Sequence, residues 1–364
     1  MKWLQDMLSK AGKHFEEGGK LKLLGPIFRA NENFFFAGEA KTTVAPHIRD
    51  PLDVKRYMSM VIVAVTPCVM AAVYFYGLRV LAMIVVSYAA GGVVEVIFAM
   101  VRKEEINEGF LVTGLLFPLI LPPGLPLWVV AVGVAFGVFV GKELFGGTGR
   151  NVFNPALVGR CFLALSYPKA MTEGWIAPGG GLFGRTFEYV SVSNAGADAV
   201  STATPLVLAK QGQLTSLTDM LFGRTAGCMG ETFALGIIAG GIFLCIVRVA
   251  NWRTVAALLG SFALMAWLLA AFNPDTYAPA LWHLSAGGIL FGAFFMATDP
   301  VTSPATNGGK WIYGIVIGVV TVLIRNLTGF VEGAMFAILL GNMVAPILDE
   351  LVIAARLRRL RYEG

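Results

Sequence analysis

The sequence predicts an all-α polytopic membrane protein with about ten transmembrane helices in two five-helix halves, some of them short or broken. Of its 364 residues, 56% are hydrophobic and only 14% are charged, whereas soluble domains average about 25% charged residues. The mean hydropathy is +0.71. Glycine supplies 43 residues, which suits membrane helices that pack closely. This composition excludes an ordinary water-soluble domain and a disordered chain.

Ten apolar segments follow one another along the chain. A helix that crosses a bilayer needs about 20 apolar residues, and three of the ten segments, 109–121, 155–167 and 282–297, are short and flanked by Gly or Pro. Short segments flanked by Gly or Pro in both halves indicate a binding region built from broken helices. The segments are 57–78, 80–101, 109–121, 126–141, 155–167, 231–248, 254–272, 282–297, 311–328 and 333–354.

The distribution of basic residues predicts the orientation. With the N-terminus inside, 22 of the 28 Lys and Arg residues fall on the inner side, so the positive-inside rule places both termini in the cytoplasm. The longest polar connection then lies on the outer face, and connections of that length are usually functional or disordered. We expect a cytoplasmic N-terminal segment, a first membrane half, an outer connection, a second membrane half and a basic cytoplasmic tail, over residues 1–56, 57–167, 168–230, 231–354 and 355–364.

Several common functions lack their sequence signals. The net charge of +5 comes without a basic face interleaved with aromatic residues, so no nucleic-acid partner is expected. The four cysteines are scattered without a C-x-x-C pair, which argues against a metal cluster of the usual spacing. No P-loop and no strand-linked G-x-G-x-x-G is present, so the chain is not expected to bind a nicotinamide nucleotide itself.

The outer connection contains the motif Asp198-Ala-Val-Ser201-Thr202-Ala-Thr204-Pro. A hydroxyl is the common side-chain group that can form a phosphoester, and Ser201 and Ala203 are small. Taken alone, Ser and Thr before an apolar run also predict a helix N-cap. The motif therefore permits a modification site or a simple helix start.

Four further blocks accompany this motif, at 15–20, 103–113, 146–160 and 291–300. Together they resemble the NqrB/RnfD family, and within it the NqrB proteins of bacterial sodium-translocating NADH:quinone oxidoreductases more closely than the RnfD proteins of the Rnf complex. The resemblance runs over nearly the whole chain. It implies a multi-pass component of a multi-subunit redox complex in the bacterial inner membrane, surrounded by lipid.

The resemblance implies that FMN is attached covalently through a phosphoester to Thr204. Asp198 would help to position the FMN donor during attachment, and Ser201 would leave room for it. The family motif more often has Gly where this chain has Thr202, so Thr202 remains a second candidate for the attachment. The implied electron route runs from FMN on a partner protein through the covalent FMN and a non-covalent riboflavin to quinone, coupled to Na⁺ export.

Two inner-face features acquire roles from the same resemblance. Asn151 and Asn154 lie in a Gly-rich loop, and their amides can donate and accept hydrogen bonds at the edge of a flavin ring, so we place riboflavin there. Asn154 can equally start a half-helix at Pro155. Gly91 and Gly92 are expected to border the quinone region, although glycine pairs also serve close helix packing.

Three acids lie in or beside the apolar segments: Glu95, Asp299 and Asp349. Acids within a membrane are energetically costly and usually functional. The predicted orientation brings all three towards the inner face, where their oxygens would suit Na⁺. Ordinary interhelical pairing, capping or snorkelling is the alternative.

Two other functions remain open at this stage. One is that of an RnfD-type component of a ferredoxin:NAD oxidoreductase, against which the polar segment 1–56 argues. The other is a redox-inactive solute channel, against which the Ser-Thr-Ala-Thr motif argues.

Overall fold

The computed structural model describes residues 54–103, 109–189, 203–274 and 277–363. Over these ranges the regular structure is helical, and the sole extended pairing is an isolated bridge between Gly77 and Tyr189. The α-helices are α1 (Val54–Tyr76), α2 (Arg79–Arg102), α3 (Gly109–Leu119), α4 (Leu127–Gly141), α5 (Pro155–Ser166), α6 (Pro168–Glu173), α7 (Pro205–Lys210), α8 (Leu217–Phe222), α9 (Ala234–Ile246), α10 (Trp252–Phe272), α11 (Ala280–Ser285), α12 (Ile289–Phe291), α13 (Asn307–Leu327) and α14 (Ala334–Glu363).

Within the described ranges, six helices are long and apolar enough to cross a membrane, namely α1, α2, α4, α10, α13 and α14. Three others, α3, α5 and α9, have 11, 12 and 13 residues. At a rise of 1.5 Å per residue they extend about 16–20 Å, less than the hydrocarbon thickness of about 30 Å. The all-α polytopic class with short helices is thus confirmed, whereas the total of ten crossings and the cytoplasmic termini stay predictions.

The predicted segment 282–297 is the most interrupted of the ten. It divides into α11, α12 and a π-helical turn at Gly292–Met296. π-helical turns are rare and frequently mark functional sites. The break at Gly287 and Gly288 brings backbone into contact with the connection after α13, where Gly288 N donates to Glu332 Oε1 over 2.6 Å.

One hydrophobic core contains residues from both predicted halves. Helix α1 packs on α9 across the halves, and α10 packs along α13. Small residues permit these approaches: a Cβ on Gly240 would lie 2.1 Å from Ala64 O, and one on Gly318 would lie 2.5 Å from Leu258 O. Close backbone approach of this kind is how membrane helices gain packing energy where lipid removes the hydrophobic drive.

Buried Arg79 closes the break after α3. Its guanidinium donates to the carbonyl oxygens of Pro123, Gly124 and Leu125 over 2.8, 3.2 and 2.7 Å. Non-helical backbone is tolerated at membrane depth only where protein satisfies its polar groups. Arg79 therefore makes the broken path from α3 to α4 possible.

We predict that Arg79→Met destabilises the protein, because three buried carbonyls lose their donor at about 1–3 kcal/mol each. The thermal unfolding midpoint in detergent should fall clearly below that of Lys169→Met, whose side chain is 85% exposed. Equal midpoints for the two variants would show that the carbonyls find other donors.

Candidate functional site

A cavity of about 520 Å³ lies between the broken helices and the long connection. Its volume falls in the range of roughly 300–1,000 Å³ typical of small-molecule sites. The walls come from α5, from the start of α7 and from the connections before α9, after α11 and after α13. Polar and aromatic lining residues include Arg160, Trp175, Thr204, Glu231, Phe330 and Glu332.

Thr204 lies on the wall of this cavity at the N-cap position of α7, followed by Pro205 at the first helical position. Its backbone is extended, and its carbonyl accepts from Val207 N and Leu208 N over 2.9 and 3.0 Å. Its hydroxyl makes no capping hydrogen bond. Thr204 therefore occupies the N-cap position at the start of a helix, but its side chain does not cap that helix. Asp198, Ser201 and Thr202 lie outside the described residues.

Two contacts hold the short helix α7 in place. Leu206 belongs to a small hydrophobic cluster with Met220, Trp282 and Ala286. At the other end of the helix, Lys210 Nζ donates to the carbonyl oxygens of Thr328 and Phe330, each over 3.1 Å. Thr204 is thus presented to the cavity by an anchored turn.

A buried charge cluster also lines this cavity. We define the Arg160 cluster as Arg160, Cys228, Glu231 and Glu332. Arg160 donates to Glu231 Oε1 over 3.3 Å, to Cys228 Sγ over 3.4 Å and to Glu332 Oε2. The side chains of Arg160 and Glu231 are 6% and 5% exposed. Buried charges survive only when paired in this way.

The two carboxyls of the cluster differ in environment. Burial, together with repulsion from Glu332, raises the pKa of Glu231 to about 8. Burial alone would also raise the pKa of Glu332, but Arg160, Arg325 and the N–H of Gly288 hold it below its ordinary value. Of the two carboxyls, Glu231 is therefore the one whose protonated form is favoured, and Glu332 is the one whose ionised form is favoured.

The Arg160 cluster was not predicted from the sequence. The orientation count places Arg160 among the inner basic residues, and the structure pairs Arg160, within α5, with Glu231 and Glu332. These two acids lie at or directly before the starts of segments 231–248 and 333–354, at ends that are predicted to be outer, so the count and the pairing disagree for this residue, and the orientation stays a prediction. The sequence does offer a signal, because Arg160, Glu231 and Glu332 each lie within or beside an apolar segment. Counting Lys and Arg residues does not detect such isolated charges.

At the other end of the molecule, Gly91, Gly92 and Glu95 lie together on α2. A Cβ on Gly91 would lie 2.7 Å from the ring of Phe110, and one on Gly92 would lie 3.5 Å from it. Lys142 Nζ lies 6.0 Å from the centre of the same ring and donates to Glu95 Oε1 over 2.6 Å. Glu95 Oε2 is buried with no hydrogen-bond partner among the described residues.

The two loop asparagines are both buried. Asn151 Nδ2 donates to Phe153 O over 3.1 Å. Asn154 Oδ1 accepts from Ala156 N over 3.1 Å, so this residue caps α5. Asn154 also lines an inner cavity of about 70 Å³, which is much smaller than the roughly 300 Å³ of a small-molecule site. In this conformation the cavity does not fit a riboflavin ring.

The remaining two acids contact the connection between the π-turn and α13. Asp299 lines the same inner cavity as Asn154 and accepts from Val301 N and Thr302 Oγ1 over 3.3 and 3.0 Å. Burial raises its pKa. Asp349 accepts from Ala305 N and Thr306 N over 2.7 and 2.9 Å. Glu95 is instead paired with Lys142, so the structure does not join the three acids into one ligand set.

Comparison with known proteins supports a single family. A family model described as the NQR2, RnfD, RnfE family matches residues 41–358. The chain is similar to the B subunit of the Na(+)-translocating NADH-quinone reductase of Klebsiella pneumoniae strain 342, with 38% identity over 99% of this chain and 100% of the relative. The corresponding proteins of Yersinia pestis and Pseudomonas aeruginosa strain LESB58 are 36% and 35% identical over 99% and 98% of both chains. The chain belongs to the NQR2, RnfD, RnfE family.

Proposed function

We propose that this chain is the flavin-carrying membrane subunit of a sodium-translocating NADH:quinone oxidoreductase in the bacterial inner membrane. The full-length likeness to relatives that are named as the B subunit of this reductase supports the function. The observation that carries the flavin assignment is the Thr204 hydroxyl, which has no capping bond and faces a cavity of about 520 Å³. The same likeness favours this assignment over an RnfD-type component or a solute channel.

The cavity of about 520 Å³, which we call the outer cavity, has residues that fit a covalently attached FMN. Thr204 would hold it through a phosphoester, and Trp175, Phe330 and Phe336 offer apolar and aromatic surface for the ring system. Arg160 supplies positive charge in the same cavity. When bound, the flavin supplies the capacity to accept and release electrons. The protein holds it, orients it and sets the charge around it.

We predict that Thr204→Val abolishes the covalent flavin, because the methyl group cannot form the ester. In-gel fluorescence of the denatured protein measures the adduct. The matched control is Thr225→Val, which removes another hydroxyl from the same cavity. Thr202→Val tests the second candidate of the motif.

Fluorescence retained in Thr204→Val and lost in Thr202→Val would move the attachment to Thr202. Fluorescence absent from the wild-type protein would contradict the flavin assignment altogether.

The opposite end of the molecule carries the proposed quinone and sodium sites. Gly91 and Gly92 share the ring of Phe110 as a neighbour, and Lys142 links this ring to Glu95. The ring of Phe110 fills the space at Gly91, so quinone would bind beside the glycine pair only if this ring moves. The oxygen of Glu95 that has no partner among the described residues would serve Na⁺. Both oxygens of Asp299 and both oxygens of Asp349 already accept hydrogen bonds, so these two acids would serve only as additional ligands. Riboflavin near Asn151 and Asn154 would require the inner cavity to widen.

We predict that Gly92→Leu slows quinone reduction while reduction of the bound flavins by NADH continues. Gly92 is the informative position, since its Cβ has ordinary space. At Gly91 the contact with Phe110 would cost about 1–3 kcal/mol by overpacking. The control is Gly260→Leu on α10, where nothing lies within 4 Å. Equal slowing of both steps would reject the quinone assignment.

We predict that Glu95→Gln raises the sodium concentration for half-maximal turnover by about tenfold, equivalent to about 1.4 kcal/mol of binding. Glutamine preserves the shape beside Lys142 but removes the charge that attracts the cation. Exposed Glu350→Gln is the control. Steady-state quinone reduction against sodium concentration measures the effect, and a sodium dependence equal to that of wild type would exclude Glu95 from the site.

A further inference from the structure

The Arg160 cluster contains one carboxylate and one thiol more than a simple Arg–Glu ion pair. Two carboxylates and the Cys228 sulfur have ligand atoms within 4.8 Å of one another, and one guanidinium donates to all three. Two carboxylates this close repel each other strongly, so binding a proton to one of them lowers the electrostatic energy of the pair. The cluster lines the same cavity as Thr204.

The geometry distinguishes the two acids. Glu332 accepts from Arg160 and from Gly288 N over 2.6 Å, so two donors stabilise its charged form. Glu231 has the longer contact to Arg160, 3.3 Å, and receives weaker support from the neighbouring thiol. Glu231 is therefore the member that takes up a proton, and Glu332 is the member that stays ionised.

The remaining titratable groups around Glu231 do not take this role. Arg325 on α13 acts on both acids by its charge and donates to His283 O over 2.9 Å. Tyr76 on α1 bonds to Thr232 Oγ1 over 2.9 Å. Burial raises the pKa of the Cys228 thiol well above its ordinary value, so it keeps its proton. Burial and the charge of Arg325 lower the pKa of His283, and no hydrogen bond joins His283 to either acid among the described residues.

We propose that Glu231 is a proton-exchanging residue that balances the charge of the outer cavity. Its carboxylate takes up a proton from water when the flavin of the cavity is reduced, and releases it when the flavin is oxidised. The electrons come from the reduced flavin of a partner protein, the proton comes from water on the outer side, and no bond forms between Glu231 and the ring. This inference rests on the proposed function.

Proton exchange at Glu231 requires that the cluster contacts water and that the pKa of Glu231 responds to the charge of the flavin. The side chain of Glu332 is 17% exposed, whereas that of Glu231 is 5% exposed, so the cluster meets solvent on the side of Glu332. Negative charge added beside a buried carboxyl disfavours its ionised form. Burial and Glu332 already raise the pKa of Glu231, and the added charge raises it further, so uptake on reduction occurs where Glu231 is still ionised in the oxidised state.

Reduced-minus-oxidised infrared spectra of the purified complex test the proposal over a pH series from about 6 to about 10, which spans the range into which burial moves a carboxyl pKa. At the high end of the series, wild-type protein should gain a protonated-carboxyl band that Glu231→Gln lacks. At the low end, the gain should be small, because Glu231 is already protonated. Glu173→Gln, an exposed acid on α6 with a 60% exposed side chain, should behave as wild type.

Two measurements keep the outcomes separate. Carbon-13-labelled glutamate in the wild-type complex must shift the band, which shows that the band arises from a glutamate even if Glu231→Gln fails to assemble. In-gel fluorescence reports the covalent flavin in every sample. An unchanged band in Glu231→Gln, or no band in a wild-type complex that contains the flavin, would overturn this inference alone. A wild-type protein without the flavin would overturn the proposed function as well.

Discussion

The fold depends on satisfying polar groups inside an apolar environment. Helices of 11 to 13 residues cannot cross a bilayer, so the chain leaves helical structure at membrane depth and its freed backbone groups need partners. Arg79 supplies them after α3, Glu332 supplies one at Gly288, and Asn154 caps α5. Each break is stabilised by one side chain, and the breaks create the space that a ligand can use.

The same constraint explains why the outer cavity is charged. Arg160 lies in a short helix that begins among buried residues, and its guanidinium can be buried only beside carboxylates. Glu231 and Glu332 come from two different connections and meet at this group. The cluster therefore fastens the connections to the helical core, and it places titratable groups in the cavity that Thr204 also lines. The residues that stabilise these connections are therefore also the ones to which the proposed proton exchange is assigned.

The sequence predicts the helices well and the contacts between them poorly. Apolar runs located the helical segments, and three short runs predicted broken helices, because helix length and composition are local properties. The motif at Thr204 predicted a residue that lies on a cavity wall. The Arg160 cluster was not predicted, because Glu231 and Glu332 lie 71 and 172 positions from Arg160 along the chain. The three acids of the sodium prediction share a predicted face but have separate partners.

The central claim is that the cavity between the broken helices and the long connection holds a flavin attached to Thr204. A cryo-electron microscopy map of the assembled complex tests this directly. We expect density that is continuous with Thr204 Oγ1, fills the cavity and contacts the wall formed by Arg160 and Glu231. Continuous flavin density on a different side chain, or side chains filling the cavity in the assembled complex, would contradict the claim.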